Sequence, residues 1–330
     1  MIPIFVVISF LLLIVAELFY IPIARRNNWT SERNKRGDGH SVTVIGGGFI
    51  FYVAILLYLF GVGWLYESPQ TMANMFIGIT MLAACSFFDD LLQLKVWIRL
   101  IVHFIAVVFL VFHFSMFEFS ALYVVLYMIF AVGMINGYNF MDGINGLTAL
   151  YSISVLSVFL WINLHVLHFT SGLFILFALM SVFVFAYFNF RKRAIVFAGD
   201  VGSICMGYII VTILTSYILA TKEISAIVFI IVYIVDIVLT IIRRIFEKEN
   251  IFRPHHKHIY QLLNRQLGYN QLVIAIGYSM LQIAISLIYL HIPQENRLIY
   301  LVCVSVVLLI GYIVIASISH LKMSRCESIK

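Results

Sequence analysis

Four short polar patches interrupt an otherwise strongly apolar chain of 330 residues. A charged side chain in or near the hydrocarbon of a bilayer costs several kcal/mol, about 2.5–3.5 on insertion scales, so ionisable residues in such a chain are candidates for function. In chain order the patches are Asp89-Asp90, Asn136-x-x-Asn139-x-x-Asp142, Gly199-Asp200-x-Gly202-Ser203 and His255-His256-x-His258.

The first patch places two carboxylates, Asp89 and Asp90, side by side at the end of an apolar stretch. Adjacent carboxylates repel each other unless a cation or a metal ion lies between them. Mg²⁺ prefers carboxylate oxygen and usually bridges to substrate phosphates, so the pair indicates a metal site. A solvated helix end is the alternative. Arg99 opens the next apolar stretch, where it faces the same pocket or extends to the membrane surface.

The second patch repeats polar residues at every third position, from Asn136 through Asn139 and Asp142 to Asn145. Residues i and i+3 are neighbours on a helix, which would place the Asn139 amide beside the Asp142 carboxylate. Amides can bind a nucleotide base or sugar hydroxyls, and Asp142 can hold a metal ion or a proton. A polar helix cap is the alternative.

The third patch connects a basic segment to the next apolar stretch through Gly199 and Gly202. Glycines let the backbone approach a phosphate, and the amino terminus of a helix favours an anion. Asp200 suits such a site only if Mg²⁺ lies between its carboxylate and the phosphates. No Gly-Lys-Ser/Thr follows, so this is not a Walker loop, and a simple turn is the alternative.

The fourth patch places three imidazoles, His255, His256 and His258, in the longest polar loop. A zinc site is disfavoured because no Cys or acidic ligand lies at a typical spacing. A cationic pocket for phosphate or uridine fits better, with Arg243 and Arg244 preceding the imidazoles. A structural role is the alternative.

The elements that must position these patches are membrane-spanning helices. The chain is 63% hydrophobic and 11% charged, with a mean hydropathy of +1.05, which excludes an ordinary soluble domain. An apolar stretch of about 20 residues crosses a bilayer as a helix. The sequence therefore predicts an all-α polytopic transmembrane helical bundle of about eleven spans. They lie near 2–23, 43–65, 71–88, 98–116, 119–138, 147–166, 171–189, 203–221, 225–243, 271–291 and 298–319.

Basic residues are distributed unequally between the two sets of loops. All but two of the 21 Lys and Arg residues fall on one side, and the exceptions are Lys222 and Arg297. The positive-inside rule then places the amino terminus outside and the carboxyl terminus in the cytosol, with all four patches open to the cytosol. We treat residues 1–330 as one integral membrane domain. Its catalytic loops are expected near 24–42, 87–98, 138–147, 190–203 and 243–270.

The four patches in this order resemble the motifs of the polyprenyl-phosphate N-acetylhexosamine-1-phosphate transferases, glycosyltransferase family 4. Residues 86–91 are similar to the Asp-Asp motif of that family, and residues 136–146 to Asn-x-x-Asn-x-x-Asp-Gly-x-Asp-Gly. Residues 197–203 resemble Phe-Met-Gly-Asp-x-Gly-Ser, and residues 255–261 resemble His-x-x-His-x-Tyr-Gln. Asn145 departs from the family, which has Asp there, so we expect Asn145→Asp to be tolerated.

This resemblance implies transfer of an N-acetylhexosamine-1-phosphate, such as GlcNAc-1-phosphate, from a UDP-sugar to undecaprenyl phosphate, with release of UMP. The step would start an O-antigen, capsule or teichoic acid at the cytosolic face of the bacterial cytoplasmic membrane. The implied cofactor is Mg²⁺, with Mn²⁺ as a substitute. The implied partners are UDP-N-acetylhexosamine, undecaprenyl phosphate and membrane lipid, without nucleic acid, and a homodimer is left open.

The resemblance also implies roles for individual residues. Asp200 would be the principal Mg²⁺ ligand, with Asp89 and Asp90 also at the metal. Asp89 would accept the proton of the lipid phosphate or attack the donor directly, and Asp90 and Asp142 would assist metal or nucleotide binding. The expected substrate-binding residues are Asn139, Arg99, Arg243, Arg244, His255, His256 and His258.

Two other functions stay open. The phospho-MurNAc-pentapeptide transferases of peptidoglycan synthesis are related, although their uninterrupted triple-His stretch is absent here. A proton-coupled secondary transporter would use Asp236 and Glu17 as coupling acids, but transporter sites lie near the bilayer midplane and these patches lie at one face. Asp236 is equally consistent with a structural pairing to Thr240 or Arg243 along its own helix.

Overall fold

The computed structural model describes residues 2–31, 43–250 and 255–327, with the side chains of the last helix included as far as Lys322. Parts of the predicted loops at 24–42 and 243–270 therefore lie outside the described residues. The described residues are all-α apart from two isolated backbone bridges, which confirms the predicted fold class. The helices are α1 (Ile2–Arg26), α2 (Phe49–Gly61), α3 (Pro69–Leu92), α4 (Val96–His113), α5 (Ala121–Met141), α6 (Leu147–His165), α7 (Gly172–Asn189), α8 (Gly199–Thr221), α9 (Ile231–Phe246), α10 (Ile259–Gln261), α11 (Gln271–His291) and α12 (Arg297–Glu327).

Ten helices in the described ranges are long and apolar enough to cross a membrane, so the chain is a multi-pass membrane protein. The exception among the predicted spans is α2, which has 13 residues. At 1.5 Å per residue it is about 20 Å long, against about 30 Å of hydrocarbon. The span predicted at 43–65 is wrong at its start, because Val44 makes backbone bridges and Gly46 has a φ of +85°.

The first patch lies on the last turns of α3. The Ser68 hydroxyl accepts a hydrogen bond from a backbone N–H three residues later, at 3.1 Å, and Pro69 occupies the first helical position. Both features favour the start of a helix. The helix ends before Gln93, which has a left-handed φ of 51°. Asp89 and Asp90 therefore belong to a regular helix and not to a loop.

Helix α8 lies at the centre of the bundle and carries the third patch at its start. It packs against α2, α3 and α5, and its residues from Val201 to Leu214 are buried. A Cβ atom on Gly48, just before α2, would lie 2.4 Å from the Gly202 Cα, and one on Gly202 would lie 2.5 Å from the Gly48 Cα. The two glycines therefore allow the backbones of α2 and α8 to touch.

The polar patches meet at one end of the bundle, together with the described residues that directly precede α2 and α8. There the Val44 N–H donates to the Ile195 carbonyl at 3.0 Å, joining the two segments. Lys222 follows the opposite end of α8. At that end the Arg297 Nη1 contacts both carboxylate oxygens of Glu223 at 2.8 Å. Lys222 and Arg297, the two basic residues that the sequence placed apart from the others, therefore lie at the same end of the bundle.

Candidate active site

A cavity of about 520 Å³ lies at the end of the bundle where the patches meet. This volume is within the usual range for small-molecule sites, about 300–1,000 Å³. The second, third and fourth patches contribute to its wall, together with the first turns of α4 and the last turns of α9. Its polar lining residues are Arg99, Asn136, Asn139, Asp142, Asp200, Arg244, His255, His256, His258, Tyr260 and Gln261.

Arg99 joins the first and third patches. Its Nη1 forms a short ion pair with the Asp89 carboxylate and lies 3.2 Å from Asp200 Oδ2. Asp89 is 7% exposed, and its other oxygen accepts the Leu94 N–H at 2.7 Å. Asp89 is therefore held behind Arg99 and does not line the cavity, whereas Asp200 does.

Asp90 binds the start of α8. Its Oδ1 accepts the Asp200 N–H at 3.1 Å, and its Oδ2 accepts the Val201 N–H at 3.4 Å. An anion at a helix amino terminus is favoured by the helix dipole. In this structure the chain's own carboxylate accepts these two N–H groups, at the segment where the sequence suggested that a phosphate could approach the backbone. Gly199 (φ +70°) is required here, since a Cβ atom would lie 2.8 Å from Asp90 Oδ2.

Two of the four expected carboxylates, Asp142 and Asp200, are placed where they could bind Mg²⁺ in the cavity. In residues 2–31, 43–250 and 255–327, no group of three or more His, Cys, Asp or Glu side chains is arranged to hold a metal ion. Mg²⁺, however, often takes only one or two carboxylates and completes its shell with water and substrate phosphates. Asp200 and Asp142 offer such hard oxygen ligands on the cavity wall. Asp89 and Asp90, also expected at the metal, contact Arg99 and the α8 backbone instead.

The second patch links three helices. Asp142 directly follows α5, and its Oδ1 accepts the Thr148 hydroxyl of α6 at 2.7 Å. The Asn139 side-chain oxygen accepts the Ser203 hydroxyl of α8 at 3.1 Å. Asn139 and Asp142 both line the cavity, as their spacing predicted. These contacts fix the two side chains relative to Asp200.

Asn145 has a different environment from its neighbours in the patch. Its Nδ2 donates to the Arg191 carbonyl at 2.9 Å and to the Lys192 carbonyl at 3.3 Å. Its own N–H donates to the Gln271 side chain at 3.0 Å. The side chain thus holds the basic loop between α7 and α8 as a donor. A carboxylate cannot donate, so the geometry opposes the expectation that Asn145→Asp is tolerated.

The imidazole patch is less cationic than the sequence suggested. Burial, reinforced by the neighbouring His258 and Arg244, lowers the pKa of His255 to about 4. This shift favours the neutral form of His255, whereas the sequence predicted a cationic pocket formed by the three imidazoles together with Arg243 and Arg244. Its ring lies 4.9 Å from the His258 ring, measured between centroids. Both rings and His256 line the cavity.

The basic residues near the imidazoles are largely paired within the loop. The Arg243 Nε lies 2.8 Å from Glu247 Oε1, and Arg243 does not line the cavity. Lys257 forms short ion pairs with Glu247 and Glu249. Arg244 is 2% exposed and does line the cavity, although its Nε also contacts Glu249 at 3.2 Å. Among the residues that the structure describes, Arg244 and Arg99 are thus the guanidinium groups on the cavity wall.

The sequence left the role of Asp236 undecided between function and a pairing with Thr240 or Arg243. The structure places the Thr240 hydroxyl 3.2 Å from Asp236 Oδ1 and the His258 Nδ1 3.1 Å from the same oxygen. Arg243 pairs with Glu247 instead. Burying an ionisable side chain in an apolar span costs free energy, so the position of Asp236 already indicated that it must have specific hydrogen-bond partners.

Tyr260 was not among the predicted site residues, but it lines the cavity. Its hydroxyl donates to the Phe140 carbonyl at 2.9 Å, which attaches the imidazole segment to the end of α5. A Cβ atom on Gly143 would lie 2.0 Å from that hydroxyl. The glycine after Asp142 therefore makes room for Tyr260 against α5.

Comparisons with known proteins agree with this arrangement. The family model described as glycosyl transferase family 4 matches residues 72–218, which include the first three patches. A probable undecaprenyl-phosphate N-acetylglucosaminyl 1-phosphate transferase of Bacillus subtilis (strain 168) is 24% identical over 286 residues, covering 78% of this chain and 77% of the relative. An undecaprenyl-phosphate alpha-N-acetylglucosaminyl 1-phosphate transferase of Thermotoga maritima is 27% identical over 282 residues, covering 83% and 85%. The family motifs, the membrane-spanning helices and these matches together show that the chain is similar to glycosyl transferase family 4.

Proposed function

We propose that this protein transfers an N-acetylhexosamine-1-phosphate from a UDP-sugar to undecaprenyl phosphate and releases UMP. GlcNAc-1-phosphate is the first candidate because both named relatives carry that sugar in their names. The observation that supports the proposal is the convergence of Asp142, Asp200 and His258 on one cavity at one end of a membrane bundle. The product would start a cell-surface polysaccharide such as an O-antigen, a capsule or a teichoic acid.

The charges on the cavity wall suit two phosphorylated substrates. A lipid phosphate and a sugar diphosphate repel each other, so their approach requires cations at the point of reaction. Arg99 and Arg244 supply fixed positive charge, and Mg²⁺ held by Asp200 and water would neutralise phosphate oxygens and orient the diphosphate. Holding both substrates in line accounts for most of the rate in such a reaction.

The two adjacent carboxylates act indirectly in this proposal. Asp89 is buried against Arg99, so we assign it to positioning that guanidinium instead of taking a proton from the lipid phosphate. Asp90 fixes the first turn of α8, and with it the backbone of Asp200. Both residues thereby position Asp200, the carboxylate proposed as the principal metal ligand.

The cavity would face the cytosol of a bacterial cell. The excess of Lys and Arg on this side favours that orientation by the positive-inside rule. UDP-sugars are polar and must arrive from an aqueous compartment, whereas the phosphate of a lipid acceptor lies at headgroup level. A cavity at the end of the bundle can receive one substrate from the aqueous compartment and the other from the headgroup level. The polyprenyl chain can remain among lipid and helices.

The transporter alternative receives no support from the site. Neither Asp236 nor Glu17 lines the cavity, and Asp236 is held by hydrogen bonds to neighbouring side chains. Glu17 is fully buried in α1, and its carboxylate oxygens have no hydrogen-bond partner within the described ranges. A substrate pathway through these two acids is therefore not visible.

The test uses the purified full-length protein with undecaprenyl phosphate, Mg²⁺ and separately labelled UDP-GlcNAc, UDP-GalNAc and UDP-MurNAc-pentapeptide. We expect label from one of the two N-acetylhexosamine donors to enter the lipid phase with release of UMP. Labelled UMP should also exchange into that UDP-sugar once the lipid product is present. Asp200→Asn serves as the inactive control. Transfer from UDP-MurNAc-pentapeptide alone would favour peptidoglycan synthesis, and no transfer from any donor would refute the proposal.

A further inference from the structure

The Asp236 carboxylate accepts four hydrogen bonds inside the protein. Its Oδ1 accepts from the His258 Nδ1 at 3.1 Å, the Ile259 N–H at 3.0 Å and the Thr240 hydroxyl at 3.2 Å. Its Oδ2 accepts from the Tyr278 hydroxyl at 2.7 Å. The side chain is 4% exposed. Donors from α9, α10 and α11 therefore hold this carboxylate in one orientation.

This arrangement determines which nitrogen of His258 carries a proton in the neutral ring. An ionised carboxylate offers only acceptors, so the Nδ1 facing it must be the donor. The remaining nitrogen, Nε2, is then unprotonated and has a free lone pair. In the described part of the chain Nε2 is buried and has no hydrogen-bond partner. His258 is 1% exposed, and its ring forms part of the cavity wall.

The surroundings of His258 suit a ligand that donates a hydrogen bond to Nε2. Its ring stacks on the Tyr260 ring at a centroid distance of 5.8 Å, and the neighbouring His255 is neutral because burial lowers its pKa to about 4. A fully ionised phosphate has no hydrogen to donate to a nitrogen lone pair. Sugar hydroxyls and an acetamido N–H are donors of the required kind.

We propose that Asp236 is a positioning residue that holds His258 with Nδ1 protonated and Nε2 unprotonated, and that Nε2 accepts a hydrogen bond from the sugar of the donor substrate when that sugar enters the cavity. The identity of the ligand rests on the proposed function, whereas the state of the imidazole does not. The two parts of the proposal can therefore be tested separately.

The state of the imidazole is tested by ¹⁵N NMR of the full-length protein labelled at histidine, with His258 assigned by its loss in His258→Gln. We expect a protonated Nδ1 and an unprotonated Nε2 at neutral pH. Asp236→Asn should move the proton to Nε2 in part or all of the molecules. Thr240→Val is the matched control, because it removes one donor from the same oxygen and should leave the His258 pattern unchanged. A protonated Nε2 on His258 in the unaltered protein would overturn the proposal, and this result requires only that the assignment variant His258→Gln folds.

Kinetics then distinguish positioning from general stabilisation. Asp236→Asn should lower kcat/KM by about 10- to 100-fold, the loss that follows removal of the partner that orients a metal-ligating histidine. In a His258→Gln background the same change should add little, because residues that act through one another are not additive. An equal loss in both backgrounds would show a merely structural role and contradict the proposal.

The ligand is tested by titrating the labelled protein with UDP-GlcNAc and, separately, with UMP. A shift of the Nε2 resonance with UDP-GlcNAc but not with UMP supports contact with the sugar. The same shift with UMP alone would assign the contact to the nucleotide and overturn that part of the proposal. If the protein transferred no sugar phosphate at all, the proposed function would fail, while the NMR result would still decide the role of Asp236.

Discussion

Asn145→Asp is expected to destabilise this protein even though the family motif carries Asp at that position. The Asn145 Nδ2 donates to the Arg191 and Lys192 carbonyls at 2.9 and 3.3 Å, and the residue is 8% exposed. An aspartate of the same shape would place a negative oxygen against those two carbonyl oxygens. The substitution thus replaces two attractive contacts by two repulsive ones.

The size of the effect follows from these contacts. A hydrogen bond contributes about 0.5–1.5 kcal/mol to stability, and a buried polar group left without a partner costs about 1–3 kcal/mol. Because Arg191 is only half-buried and Lys192 is exposed, water can satisfy part of the loss. We therefore expect a destabilisation of about 2–4 kcal/mol, which corresponds to a decrease in Tm on the order of 5–10 °C.

The assay is thermal unfolding of the purified protein in detergent, followed by intrinsic fluorescence, with Asn145→Ala as the matched control. Alanine removes the same hydrogen bonds without adding charge. We therefore expect the highest Tm for the unaltered protein, a lower Tm for Asn145→Ala and the lowest Tm for Asn145→Asp. If the Asp variant were as stable as the Ala variant or more so, the reasoning would be refuted. That result would mean that the basic loop supplies a cation to the carboxylate.

Three further outcomes are expected. Transfer should require Mg²⁺ or Mn²⁺ and disappear with a chelator, because the cavity offers carboxylate ligands, and restoration by Zn²⁺ alone would contradict the assignment of Asp200 and Asp142. Asp200→Asn should lower kcat at least about 100-fold with unchanged membrane insertion, and full activity of this variant would remove the proposed metal ligand. In a protein freed of reactive cysteines, a thiol label should reach His256→Cys from the cytosolic side and Lys222→Cys from the opposite side, and UDP-GlcNAc should protect only position 256. Labelling of position 256 from outside alone would invert the proposed orientation.

The sequence was sufficient to predict the helical bundle and the gathering of the patches at one end. Apolar stretches of about 20 residues identify spans regardless of their partners, and the basic loops identify which helix ends lie together. The start of α2 was missed because it depends on a pairing between Val44 and Ile195, which lie far apart in the chain. Hydropathy does not report such a contact.

The roles of individual residues within the site were harder to predict, because each role depends on which charged or polar group the side chain contacts in the folded protein. The patterns indicated that Asp89, Asp90 and Asp200 matter, but not that Asp90 accepts the N–H groups at the start of α8. Likewise, the basic composition near the imidazoles suggested a cationic pocket, whereas Lys257 is paired with two glutamates. Burial and pairing are properties of the folded chain, so residue type alone overestimates the free charge.

The contact between Gly48 and Gly202 means that the geometry of the site also depends on two positions that have no side chain. Gly202 follows Asp200 by two residues on the first turn of α8, so any atom added at either glycine must push α2 and α8 apart, since it would lie within 2.6 Å of backbone. The Asp200 carboxylate and the N–H groups that hold Asp90 would move with that turn. Gly48→Ala and Gly202→Ala should therefore resemble active-site substitutions in a mutational scan, although neither glycine offers a chemical group to a substrate.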